Sequence, residues 1–206
     1  MTGARDDVDA GITTVGVYGS TADDFLAALA DRGVGLLLDL RQRRGVRGAA
    51  YSWANAVRLQ QLLAGAGVGY RHVPGLAPTT ELRRLQYRED DRQGVGKRSR
   101  VALAPAYVEG YRAKILAPFD LDALAAELPD GTVVALLCVE RDPEACHRSL
   151  VVGPLRAARR SAGRATASGP VGSEELTGPD HPEIDPPQRD EITCPAASPS
   201  RWSGWR

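Results

Sequence analysis

Apolar and polar positions recur with two periods, one of strands and one of helices, along the first 160 residues. An apolar run over Ile12–Val17 ends in glycines and predicts a strand. Behind it, Thr21-x-x-Asp24 is a capping-box signature, and Phe25, Leu26 and Leu29 give the following helix an apolar stripe. Val34–Asp39 is a short, almost fully apolar strand. Ala56, Leu59, Leu62, Leu63 and Ala66 recur at helical spacing, with Gly65 and Gly67 as the stop. Tyr70–Val73 predicts a third strand ended by Pro74, and Pro105–Leu116 and Asp120–Leu128 predict two helices. Thr132–Val139 is apolar on both faces, as a buried central strand requires. Asp142-Pro143-Glu144 then has the form of an N-cap with proline at the first helical position, so the last helix is expected to start there. Gly153-Pro154 predicts that this helix is kinked or shortened.

Strands interleaved with helices imply an α/β fold: a doubly wound, mostly parallel sheet with helices on both faces. The pattern fades at Ser161. Residues 161–206 hold 7 of the 14 prolines, and their only Val, Leu or Ile residues are Val171, Leu176, Ile184 and Ile192. Such a stretch buries too little apolar surface to offset its ordering entropy, so the expectation is one domain over 1–160 and a disordered tail over 161–206.

Charge refines this division. The whole chain is formally neutral, with 26 basic and 26 acidic residues, but the tail holds 4 basic and 7 acidic ones and leaves the domain mildly basic. Neutrality excludes nucleic-acid binding by bulk positive charge. The longest apolar run, Val133–Val139, is far shorter than the ~20 residues that span a bilayer. Arg5, Asp6, Asp7 and Asp9 are unlike a secretory signal. Three cysteines are too few for a disulfide framework in a chain this long, so a cytoplasmic protein without a membrane partner is expected.

In doubly wound folds, ligands bind beyond the carboxyl ends of the strands. Polar residues gather there: Gly16 and Ser20 after the first strand, Asp39 and Arg41 after the second, His72 at the third, Cys138 and Glu140 at the fourth. Cys146, His147 and Arg148 follow in what is read as the first turns of the last helix. Helical spacing then leans His147 toward Cys138, and an imidazole beside a thiol is the arrangement that makes a cysteine nucleophilic. Amide donors at the helix N-terminus favour the thiolate. A core role for the cysteines is the plainer alternative. Cys138, Cys146, His147 and His72 form a nominal metal set, but adjacent helical residues point ~100° apart, so neither a metal nor an organic cofactor is expected.

The run from Cys138 to Arg148, of the form Cys-x-Glu-x5-Cys-His-Arg, resembles the signature of a bacterial family catalogued as domain of unknown function 488. The Asp39-x-Arg41 strand end, the Gly16-to-Phe25 opening and Tyr70-x-His72 are similar to that family too. The resemblance implies a fold and a site over roughly residues 12–160, and no reaction.

The function therefore rests on chemistry. Arg41, Arg43, Arg44 and Arg47 crowd a glycine-containing loop at the ligand edge, which points to a phosphate-bearing small molecule or nucleotide and, more weakly, to nucleic acid. One reading is an enzyme: Cys138 or Cys146 as nucleophile, His147 as base, Glu140 as general acid or base, Arg41 and Arg148 as anion clamp, and Gly16, Ser20, Asp39 and His72 around the ligand. The other is a non-catalytic nucleotide- or nucleic-acid-binding module with structural cysteines. The basic segment from Arg83 to Arg100 is read as solvated.

Overall fold

The computed structural model describes residues 11–96 and 99–167. The N-terminal acidic segment, Lys97, Arg98, and the tail with its Trp202 and Trp205 lie outside the described residues. Four strands, β1 (Ile12–Gly16), β2 (Val34–Asp39), β3 (Gly69–His72) and β4 (Val133–Cys138), pair in the order β1-β4-β2-β3, and every pairing is parallel. All four carboxyl ends therefore share one edge.

Six α-helices cover the sheet: α1 (Ala22–Asp31), α2 (Ala56–Gly65), α3 (Thr80–Gln93), α4 (Pro105–Tyr111), α5 (Leu121–Ala126) and α6 (Arg148–Ala167). The capping box at α1 forms as its sequence implies, with the Thr21 side chain on the Asp24 amide and the Asp24 carboxylate on the Thr21 amide. A π-helical turn, Arg112–Leu116, continues α4. Among the described residues, no helix is long and apolar enough to cross a membrane.

Strand alternation divides the core in two. On one face Leu38, Val134 and Leu136 pack with Leu82, Tyr107, Tyr111, Leu124, Val151 and Leu155 of α3 to α6 and the π turn's flank. On the other, Val15, Leu37, Ala135 and Leu137 pack with Phe25, Leu29, Leu59 and Leu63 of α1 and α2. β4, between β1 and β2, is buried along almost its whole length, which accounts for its unbroken apolar run.

Two expectations about the last helix need correction. Asp142-Pro143 opens a single 3-10 turn, Pro143–Ala145, and Cys146 is then extended (φ −141°, ψ 144°), so α6 begins only at Arg148. Nor does Gly153-Pro154 shorten it. Pro154 is itself exposed, and buried Val151, Leu155 and Ala158 on both sides of it in sequence hold the helix against the sheet. The helix runs on to Ala167, past the boundary expected at Ser161.

Candidate active site

The site is built on β4 and the loop after it. Cys138 follows Leu136 by two residues and so shares its face, above α3 to α6. Past the strand, the Val139 carbonyl accepts the Val17 and Tyr18 amides at 3.2 and 2.9 Å, tying the loop to the end of β1. The approach is close enough to demand glycine: a Cβ on Gly16 would lie 2.1 Å from the Glu140 carbonyl oxygen. From the other side Arg148, 1% exposed, donates to the Glu140 and Arg141 carbonyls, both at 2.6 Å.

This loop and the extended Cys146 bring four side chains together. The Cys138 thiol donates to Glu140 Oε2 at 3.2 Å. His147 Nδ1 is 3.8 Å from Cys138 Sγ and 3.7 Å from Cys146 Sγ. The two sulfurs and the imidazole nitrogen all lie within 4.8 Å of one another. His147 Nε2 faces the Leu40 carbonyl at 3.4 Å, so Nε2 carries a proton and Nδ1 is left to the sulfurs. The Tyr111 ring packs 5.5 Å from the imidazole and fixes its tilt. A hydrogen bond with Cys146, burial and the neighbouring Glu140 carboxylate push the Cys138 thiol well above the ordinary cysteine value.

Asp39 and Arg41 form a separate cluster. Asp39 follows Leu37 and so points to the α1 and α2 face, opposite to Cys138. Arg41 Nε and Nη2 bind its two carboxylate oxygens at 2.8 and 2.7 Å, Nη1 binds the Ala54 carbonyl at 2.8 Å, and the Tyr70 hydroxyl donates to Asp39 Oδ2 at 2.8 Å. His72 Nε2 meets the Arg41 carbonyl at 2.8 Å. Arg41 and Arg148 thus bond mainly to internal partners, although Arg148 Nε, buried, has none. Ser20, whose amide faces the Val17 carbonyl, lines a different cavity of about 370 Å³ with Thr14, Arg32 and Arg141.

A cleft of about 570 Å³ opens over the cysteines. Cys138, Glu140, Cys146 and His147 lie at its floor, with Arg41 at one side; Tyr18, Tyr87 and Tyr107 are in its walls, and Arg43, Arg47 and Arg83 are at its rim. Among the described residues neither Arg43 nor Arg47 pairs with a carboxylate. The segment expected to be solvated is partly built into this site. Arg100 is buried, its Nε 2.9 Å from Asp90 Oδ1, and its Nη1 reaches the Ala145 carbonyl at 3.4 Å, next to Cys146. Gln86 bridges Asp90 to the Ala104 amide. Tyr107 and Arg100 escaped sequence reasoning; the only local signal was the Gln86/Asp90 pair, four residues apart on one helix face.

Residues 21–155 match the family model described as domain of unknown function DUF488. The chain belongs to that family. No curated protein and no solved structure matches it. The DUF488 match takes in both polar clusters and all three arginines of the rim, while β1, which supplies Gly16, precedes it.

Proposed function

We propose that this DUF488 chain is an enzyme acting on a phosphate-bearing small molecule or nucleotide in the cleft over Cys138. One observation carries the reading: two sulfurs, a carboxylate and an imidazole nitrogen converge on the floor of a cleft whose rim holds Arg43 and Arg47, neither paired with a carboxylate among the described residues. Rim and floor differ in character. Glu140 repels phosphate from the floor, so the phosphate belongs at Arg43 and Arg47, where guanidinium forks match its oxygens. That orientation points the rest of the ligand inward, against Tyr87 and Tyr107 and toward the reactive groups. His147 Nδ1 is the proton acceptor there, held in place by the Leu40 carbonyl, and Glu140 is the carboxylate that passes a proton to or from the ligand.

A second reading, a non-catalytic nucleotide-binding module, draws on the near-complete burial of both thiols. Binding and turnover separate the two. Calorimetry with ATP and with pyrophosphate is expected to show binding that weakens at least tenfold in the Arg43→Ala/Arg47→Ala double variant. A panel of nucleotides and sugar phosphates, followed by phosphorus NMR, is expected to show conversion that Glu140→Gln abolishes while binding persists. Binding with no conversion across the panel favours the module, and unchanged affinity in the double variant removes the phosphate ligand from both readings.

A further inference from the structure

We infer that Cys138, Cys146 and His147 form a binding site for a borderline-soft divalent cation, zinc foremost. The inference deepens the enzyme reading by assigning the floor of the cleft a metal, and it stands on geometry independent of the arginine rim. The sequence argument against a metal assumed that Cys146 and His147 follow one another on a helix and diverge. The structure removes that assumption, because Cys146 is extended and α6 starts one residue after His147.

The two sulfur–nitrogen separations suit a coordination sphere. A tetrahedron with zinc–sulfur bonds of about 2.3 Å and zinc–nitrogen bonds of about 2.0 Å has sulfur–nitrogen edges of roughly 3.5 Å. The two sulfur–nitrogen separations are 3.8 and 3.7 Å, and all three donor atoms lie within 4.8 Å of one another. Two thiolates and an imidazole are also the donor types that select zinc over magnesium or calcium. The outer shell is in place as well. Metal-bound histidines donate their second ring proton to a carbonyl or carboxylate, and His147 Nε2 does so to Leu40 at 3.4 Å. Glu140 Oε2, 3.2 Å from Cys138 Sγ, stands beside the sphere, and Arg148 fixes the backbone of Glu140.

All three donors line the cleft, so the ion has an entry path. Three protein ligands with the fourth position toward a cleft is the pattern of catalytic rather than structural zinc. Binding takes both sulfurs as thiolates and releases their two protons to solvent. The fourth position takes a water or a ligand oxygen, with Glu140 as its proton partner.

The test uses the full chain carrying Cys194→Ser, so that Cys138 and Cys146 are the only thiols. Stripped, reduced protein titrated with Co²⁺ is expected to give one equivalent of tetrahedral d–d absorption and a thiolate-to-cobalt charge-transfer band, both displaced by Zn²⁺. Cys146→Ser is expected to lose part of the charge-transfer intensity, and Glu140→Gln to weaken binding about 10- to 100-fold as an outer-shell change does. Zinc is also expected to raise the Tm of the unsubstituted chain, a readout that stands even where a variant fails to fold. Absence of the charge-transfer band in folded, fully reduced protein overturns the proposal, as does a band unchanged in Cys146→Ser. ATP and pyrophosphate binding are measured on the same samples. A cobalt spectrum without phosphate binding removes the enzyme reading and leaves the metal site, and the converse result does the opposite.

Discussion

Two polar clusters lie at the same sheet edge, one on each face, and they differ in how fully their bonding capacity is used. Around Asp39 nearly every donor and acceptor has a partner: the Arg41 fork fills both carboxylate oxygens, Tyr70 adds a third bond, and Ala54 takes the remaining guanidinium nitrogen. Around Cys138 the groups are just as buried, but their contacts are long, soft and open to the cleft. The first arrangement is held together by short, charge-assisted bonds within itself. The second gathers two sulfurs and an imidazole nitrogen within 4.8 Å of one another. Equal burial and equal position at the sheet edge therefore do not mean equal function; residual bonding capacity separates a brace from a site.

The contrast breaks most sharply on removing a charge from the brace. Asp39→Ala strands the Arg41 guanidinium, 3% exposed, without its counterion. A loss of about 3–5 kcal/mol in urea unfolding is expected. Cys146→Ser, at the open cluster, is expected to cost about 1 kcal/mol, an ordinary buried substitution. Equal losses at the two sites would erase the distinction. Next in size is Gly16→Ala, whose methyl meets the Glu140 carbonyl. It should cost about 1–3 kcal/mol in the same measurement and also loosen the open cluster, read as faster labelling of Cys138 by iodoacetamide. Tyr70→Phe removes a single bond to Asp39 and is expected to lower stability by about 1 kcal/mol while leaving Cys138 labelling unchanged. Smallest in stability is Arg47→Ala, exposed at the rim, with an expected change within ~0.5 kcal/mol. A larger loss in thermal unfolding would mean that Arg47 braces the fold instead of facing a ligand.

Much of the framework could be read from residue order. Val34–Asp39 and the seven-residue run before Glu140 are apolar because sheet neighbours or helices cover both sides, and Thr21 and Asp24 sit where a helix start needs them. The site was legible only in part, for three physical reasons. Strand alternation places Asp39 and Cys138 on opposite faces, but that follows only once their strands are paired and in register. The Asp142-Pro143 signal is a true turn start, yet Cys146 leaves the helical region after three residues and brings its sulfur back to Cys138. Arg100 looks solvated because its partner Asp90 is ten residues away, across a helix end that the charge pattern does not reveal.

The strand order also says when this site can come into being. β4 is the last strand among the described residues and pairs with both β1 and β2, which do not pair with each other. As the chain leaves the ribosome, β2 and β3 can pair at once, whereas β1 waits for Val133–Cys138 before it has any strand beside it. A nascent chain that ends before Val133 has a gap where the middle of its sheet belongs, with Leu37 and Leu38 uncovered along that edge. The strand that fills the gap is the one that carries Cys138. The other residues of the cleft floor, Glu140, Cys146 and His147, follow that strand, so the floor is assembled only after the strand that closes the sheet has been made.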